Sequence, residues 1–104
     1  MKKIIEGKLY NTGTATLIAE YRKGNRSDFY GIEEEVYKTK KGQYFMYYWG
    51  GGLSKYREEV ASQTYSENEG IKLITEEEAK EFATKHLNAE DFIEIFGDVE
   101  EGWF

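Results

Sequence analysis

Strand-like and helix-like sequence meet in the segment Ile71-Lys72-Leu73-Ile74-Thr75-Glu76-Glu77-Glu78. The first four residues predict a short strand, and Thr75 follows directly as a helix N-cap. Glu78 lies three residues after Thr75, the spacing of a capping box, in which each residue bonds the other's backbone amide. Glu76 and Glu77 lie favourably at the positive end of the helix dipole. The segment therefore predicts a sheet that leads straight into a C-terminal helix.

Two amphipathic helices are predicted after Thr75. The apolar residues of the first helix recur at helical spacing and are expected to pack on the sheet: Ala79, Phe82, Ala83 and Leu87. Two i,i+4 ion pairs are expected on its other face: Glu76 with Lys80, and Glu81 with Lys85. Asn88 is predicted to stop this helix. A second helix is predicted over residues 89–96, ending at Gly97, with Phe92, Ile95 and Phe96 facing inward.

Residues 1–60 read as strands and turns. Alternating residues in 5–9 and 15–21 predict a first hairpin around Asn11-Thr12-Gly13, and a second hairpin is predicted within 30–48 around Lys40-Lys41-Gly42. The glycines 50–52 are expected to end the fourth strand in a tight turn. Residues 53–60 fit a short helix or a strand, and residues 61–70 read as a polar loop.

These elements predict one α+β domain: an antiparallel sheet of about four to five strands, built from two hairpins, with two C-terminal helices packed on or beside it. The domain is expected to comprise a sheet over residues 1–74, helices over 75–97 and an acidic, aromatic tail over 98–104. Its 104 residues, 39% hydrophobic and 16% aromatic, are enough to fold around one core. Trp103 and Phe104 in the tail are a candidate homodimer seam.

The net charge of -6 is unevenly distributed. Residues 1–60 carry 11 Lys/Arg and 8 Asp/Glu, a balance of +3, and residues 61–104 carry 3 and 12, a balance of -9. An acidic surface can compete with nucleic acid for a basic groove, although acidic helices are often only solvated faces. The candidate partner-binding residues lie on the predicted helices: Glu76, Glu77, Glu81, Glu90, Asp91 and Glu94.

Several kinds of site are excluded or disfavoured by the sequence. The chain has no cysteine, which excludes disulfides, thiolate metal sites and a cysteine nucleophile. The apolar run near Met1 stops after two residues, so we expect no signal peptide or membrane span and a cytoplasmic protein. His86 is the only histidine and fits a helix end. The glycines before Ser54 and Lys55 lack phosphate-loop spacing. No catalytic residue, metal or cofactor is therefore expected.

Two weaker patterns leave alternatives open. A basic and aromatic neighbourhood is a candidate contact with RNA or a protein partner: Lys40, Lys41, Trp49, Lys55 and Tyr56. Carboxylates that a metal-dependent nuclease could use are also plentiful: Asp28, Glu33, Glu34, Glu35, Glu58 and Glu59. On a strand, Glu33 and Glu35 would share one face with Tyr37, while Glu34 would face the other way. Solvated edge residues are the simpler explanation of these carboxylates.

The chain also resembles a known family. The resemblance lies in residues 7–12, 14–18, 27–29, 37–45 and 51–56 and in the strand-to-helix junction 73–79. These segments resemble small proteins encoded on mobile elements of Gram-positive bacteria, some of which are anti-CRISPR proteins against the type II RNA-guided nuclease. Relatives are expected to have a Gly-Glu-Gly-Gly-like turn where this chain has Tyr48-Trp49-Gly50-Gly51. A glutamate-dependent activity at that turn is therefore not carried over.

The resemblance implies inhibition of the type II CRISPR effector nuclease in a bacterial cell. One route is binding the effector so that guide RNA or other nucleic acid cannot bind, with the acidic face as a nucleic-acid mimic. Damage to the guide RNA by a metal-dependent nuclease at Glu33 and Glu35 is the enzymatic alternative. A non-catalytic phage or plasmid interaction module with an unknown partner is the third.

Overall fold

A computed structural model describes residues 1–97 and Gly102. The eight strands are β1 (Lys2–Ile5), β2 (Lys8–Asn11), β3 (Thr16–Lys23), β4 (Ile32–Lys38), β5 (Tyr44–Gly50), β6 (Glu58–Ala61), β7 (Thr64–Ser66) and β8 (Asn68–Ile74). The two helices are α1 (Glu76–His86) and α2 (Ala89–Phe96). Four strands form the central antiparallel sheet in the order β3-β4-β5-β8. The predicted α+β class is confirmed. The predicted tail and its Trp103–Phe104 seam lie outside the described residues.

Strand β5 is one of the two inner strands of the sheet and is covered on both faces. Tyr44 and Met46 lie in the core on the helix side, together with Val36 of β4. Phe45 and Trp49 lie in a second core on the opposite face, which the β1–β2 hairpin partly covers. Successive side chains of a strand point to opposite faces, so this aromatic run fills both cores. The second predicted hairpin, β4 with β5, is confirmed.

Helix α1 packs its apolar face on the sheet as predicted. Ala79 and Ala83 are fully buried in the helix, and their small side chains let its backbone approach the sheet closely. The capping box is confirmed: the Glu78 amide donates to Thr75 Oγ1 at 3.1 Å and the Thr75 amide to Glu78 Oε1 at 3.0 Å. The ion pair between Glu76 and Lys80 is present at 3.2 Å. Within the described chain, no ion pair joins Glu81 to Lys85.

Helix α2 has the predicted bounds, but its orientation differs in one position. The side chain of Asn88 caps its start, accepting a hydrogen bond from the Asp91 amide at 2.8 Å. Phe92 and Phe96 face inward and are half-buried. The prediction that Ile95 also faces inward was wrong, since it is 38% exposed. Only two positions of this short helix can reach the core, because residues 92 and 96 are one turn apart and residue 95 flanks them.

The first predicted hairpin was wrong in its pairing. The strand predicted over residues 5–9 is interrupted by a tight turn at Glu6-Gly7, and β1 pairs with β2 across that turn. Glu6 and Gly7 have φ of 53° and 78°, the two positive values of a type I′ hairpin turn, which glycine adopts readily. β3 pairs instead with β4. The Asn11-Thr12-Gly13 turn therefore leads from the small hairpin into the main sheet.

The polar segment 61–70 was wrongly predicted to be a loop. β6 and β7 form a separate two-stranded hairpin, so residues 58–61 are a strand, one of the two forms predicted for 53–60. β8 then begins at Asn68, three residues before the predicted start, with Glu69 opposite Trp49 and Gly70 opposite Tyr48. The aromatic partners on β5 supply the packing that the polar residues of β8 lack.

Candidate partner-binding surfaces

The six candidate acidic residues all lie on the exposed sides of α1 and α2. On α2, Glu90, Asp91 and Glu94 occupy about a third of the helix circumference at 3.6 residues per turn. Phe92 and Phe96 occupy the opposite, inward side. Packing of the two phenylalanines therefore turns the three carboxylates of α2 toward solvent as one row.

The helical segment carries a strong local excess of negative charge. Residues 75–97 contain seven carboxylates and two lysines, a balance of -5. Lys80 is engaged with Glu76. Glu78 belongs to the capping box, where hydrogen bonding from the Thr75 amide lowers the pKa of the Glu78 carboxyl. The charged surface outside these two interactions consists mainly of carboxylates.

The predicted basic and aromatic residues do not form one surface. Lys40 and Lys41 are exposed in the turn between β4 and β5. Lys55 and Tyr56 follow the other end of β5, about 20 Å away along a seven-residue strand. Trp49 is 2% exposed and lies in the core of the face opposite the helices. The five residues therefore occupy three separate places.

The predicted turn after β5 folds back tightly on the sheet. Ser54 Oγ donates to the Gly51 carbonyl at 2.8 Å and accepts from the Tyr56 amide at 3.2 Å. Lys55 Nζ pairs with Glu34 Oε2 at 3.0 Å. Ser54 and Lys55 both bond other groups of the protein, unlike the side chains that bind phosphate in a phosphate loop.

A buried carboxylate anchors this turn, a role that sequence reasoning missed. Glu34 on β4 is 7% exposed and accepts a hydrogen bond from Tyr56 Oη, in addition to the Lys55 ion pair. Burial, followed by this hydrogen bond, raises the pKa of Tyr56 above its usual range. The Tyr56 ring stacks on Tyr48 with centroids 4.6 Å apart, and Lys72 Nζ lies 5.8 Å from each centroid. The sequence held one signal for this role, the predicted alternation of β4, which directs Glu34 to the opposite face from Glu33 and Glu35.

The opposite face of β4 carries the carboxylates that the nuclease alternative would use. Glu33 and Glu35 do share a face, but each is paired with arginine. Arg26 Nε lies 3.0 Å from Glu33 Oε2, and Arg22 Nη2 lies 3.3 Å from Glu35 Oε2. The hydrogen bond from Arg26 lowers the pKa of the Glu33 carboxyl. Both carboxylates are therefore held in ion pairs, and a metal ion would have to displace the arginines in order to bind there.

Arg26 connects several parts of this face. Its guanidinium donates to Tyr47 Oη at 2.9 Å and lies 4.7 Å above the Trp49 ring. Tyr47 Oη in turn donates to Glu69 Oε2 at 2.8 Å. Burial, then the bond to Glu69, raises the pKa of Tyr47 to about 12. Arg26 thereby fixes the loop before β4 against the sheet, which loop composition did not reveal.

His86 has a packing role in the last turn of α1. Its ring stacks on Tyr21 with centroids 4.7 Å apart and lies 4.4 Å from the centroid of Phe82. Among residues 1–97 and Gly102, no group of three or more His, Cys, Asp or Glu is arranged to hold a metal ion. In the same part of the chain, no helix is long and apolar enough to cross a membrane.

Comparison with known proteins finds no matching protein family, curated protein or solved structure.

Proposed function

We propose that the protein is a non-catalytic inhibitor of a type II CRISPR effector nuclease in the bacterial cytoplasm. In this proposal the acidic surface of α1 and α2 occupies the basic channel in which the effector holds nucleic acid. The observation that carries the proposal is the row of exposed carboxylates on a segment with a balance of -5. The channel of such effectors binds the sugar-phosphate backbone through positive charge and not through base sequence.

Carboxylates on rigid helices can imitate part of a phosphate backbone. Successive exposed acids on α1 and α2 are fixed by the helix geometry, and both helices are capped at their first turns. A rigid acidic surface loses little conformational entropy on binding, and its charge accelerates association with a basic partner. Such binding depends strongly on salt, because mobile ions screen exposed charges.

The nuclease alternative receives less support from the geometry. It requires Glu33 and Glu35, and a carboxylate oxygen of each lies 3.0–3.3 Å from a guanidinium nitrogen of an arginine. The interaction-module alternative has an unknown partner and predicts neither charge-dependent binding to the effector nor cleavage of guide RNA. Direct measurement against an effector separates the three proposals.

The test is the affinity of guide-free effector for the triple variant Glu77→Lys, Glu81→Lys and Glu94→Lys. Three reversals change the net charge by +6, from -6 to 0. We expect binding to fall at least about a hundredfold at low salt, since close charge pairs at interfaces are worth more than 1 kcal/mol each.

The matched control is the triple variant Glu6→Lys, Glu20→Lys and Glu58→Lys, which changes the net charge equally at exposed positions outside the helices. It is expected to retain most of the affinity. If both variants bind the effector as tightly as the wild type does, the acidic surface of α1 and α2 is not the binding site. Guide RNA that is shortened in the presence of wild-type protein, and protected by a chelator, would support the nuclease alternative.

A further inference from the structure

A groove between loops and the small hairpin carries three large apolar side chains, and none of the described residues that line it belongs to α1 or α2. It has a volume of about 660 Å³ and runs between the loop before β4, the turn after β5 and the β6–β7 hairpin. Phe29, Leu53 and Tyr65, one from each of these segments, are 69%, 47% and 41% exposed. Exposed apolar side chains that line one groove are a feature of interaction surfaces on proteins.

The groove is held open by backbone contacts. The Leu53 amide donates to the Phe29 carbonyl at 2.8 Å, and the Gly51 amide donates to the Gly31 carbonyl at 3.0 Å. A Cβ atom at Gly51 would lie 2.5 Å from the Phe29 carbonyl oxygen, so the loop packs directly on this glycine. Phe29 is thus presented on a fixed backbone, and a ligand would not have to order the loop on binding.

One end of the groove is acidic. A second depression of about 270 Å³ shares Arg26 and Glu67 with the first and also includes Glu69. Arg26 is already engaged by Glu33 and stacked on Trp49, so its charge is offset within the protein. Glu67 and Glu69 are exposed; they accept hydrogen bonds from Trp49 and Tyr47, but neither forms an ion pair with another described residue, so they leave this end negative.

We propose that this groove binds an extended protein segment that carries an apolar or aromatic side chain a few residues from a lysine or arginine. The apolar side chain lies among Phe29, Leu53 and Tyr65, and the basic side chain reaches Glu67 and Glu69. The volume is within the range of ligand pockets, and anchors of this type supply most of the energy of peptide recognition. The assignment uses none of the acidic helix residues and is independent of the proposed function.

The test is a titration of ¹⁵N-labelled protein with capped peptides in which one tryptophan and one arginine are separated by glycine spacers of increasing length. We expect saturable amide shifts confined to residues 26–31, 51–53 and 63–69. Phe29→Ala should weaken binding about tenfold, as for a central apolar anchor. Glu67→Gln with Glu69→Gln should weaken it about threefold at low salt, and both substitutions keep the oxygens that accept from Trp49 and Tyr47.

The control is Ile4→Ala, because Ile4 is 70% exposed and lies outside the groove. It should bind the peptides like the wild type, and equal thermal unfolding of all variants shows that folding is intact. Absence of groove shifts with every peptide up to its solubility limit would overturn the proposal, as would equal binding by Phe29→Ala. Shifts of the same amides with single-stranded RNA alone, or with rising protein concentration alone, would overturn it by assigning the groove to nucleic acid or to a second copy.

Discussion

The substitution Tyr56→Phe tests the anchor of the turn after β5. It removes only the hydroxyl that donates to Glu34 Oε2, and it leaves the buried carboxylate with Lys55 as its remaining partner. A hydrogen bond to a charged group contributes about 1.5–3 kcal/mol, and Glu34 is 7% exposed, so water replaces the hydroxyl poorly. We therefore expect the free energy of unfolding to fall by about 2 kcal/mol. For a domain of this size the melting temperature should fall by about 8–16 °C.

The assay is urea unfolding followed by tryptophan fluorescence. All variants are fitted with one common slope of the unfolding free energy against urea concentration. Tyr30→Phe is the control, since Tyr30 is 60% exposed, and it should change the free energy by less than about 0.5 kcal/mol. In a Glu34→Gln background the acceptor is neutral, so Tyr56→Phe should cost about 1 kcal/mol less than in the wild type. A loss of stability for Tyr56→Phe no larger than that for Tyr30→Phe would show that the Tyr56 hydroxyl does not anchor the turn.

Two further predictions concern the fold near the groove and the ion pairs. Gly51→Ala should destabilise the fold by about 2 kcal/mol or more, because its Cβ would meet the carbonyl oxygens of residues 28 and 29 at 2.5–2.6 Å. The nearest contact of a Cβ at Gly52 is 3.6 Å, so Gly52→Ala should cost less than about 1 kcal/mol in the same urea assay. The pKa of Glu33 is lowered from 4.5 by Arg26, so the folded state binds this proton less readily than the unfolded state. This stabilisation should be present above about pH 5 and be lost as the pH falls through the folded pKa. In Arg26→Met, the free energy of unfolding should therefore fall less steeply as the pH is lowered below about 5. The same pH dependence in Arg26→Met and the wild type would show that this ion pair does not lower the pKa of Glu33.

The helical part of the fold could be predicted because its signals are local. The capping pair Thr75 and Glu78, and the spacing of Ala79 and Ala83, are sufficient to place α1. The first hairpin could not be predicted correctly, because Glu6 and Gly7 fit an alternating strand as well as a turn. β8 was predicted too short, because residues 68–70 form a strand only through their pairing with aromatic residues of β5.

The surfaces were predicted less completely than the fold. Exposure of the acidic helix residues follows from helical periodicity and needed no tertiary information. The dispersal of Lys40, Trp49 and Lys55 depends on which face each strand residue occupies and on the length of β5. The Arg26 network and the groove around Phe29 arise from contacts between segments about 20–40 residues apart, for which one sequence offers no signal.

Inhibition of a type II effector can be measured directly as DNA cleavage, with the protein added either before or after guide RNA is loaded. We expect inhibition when the protein is added first, with guide RNA of full length, and less inhibition when it is added after loading. Full cleavage under both orders of addition, across effectors from several Gram-positive bacteria and without detectable association, would show that the protein does not inhibit these effectors.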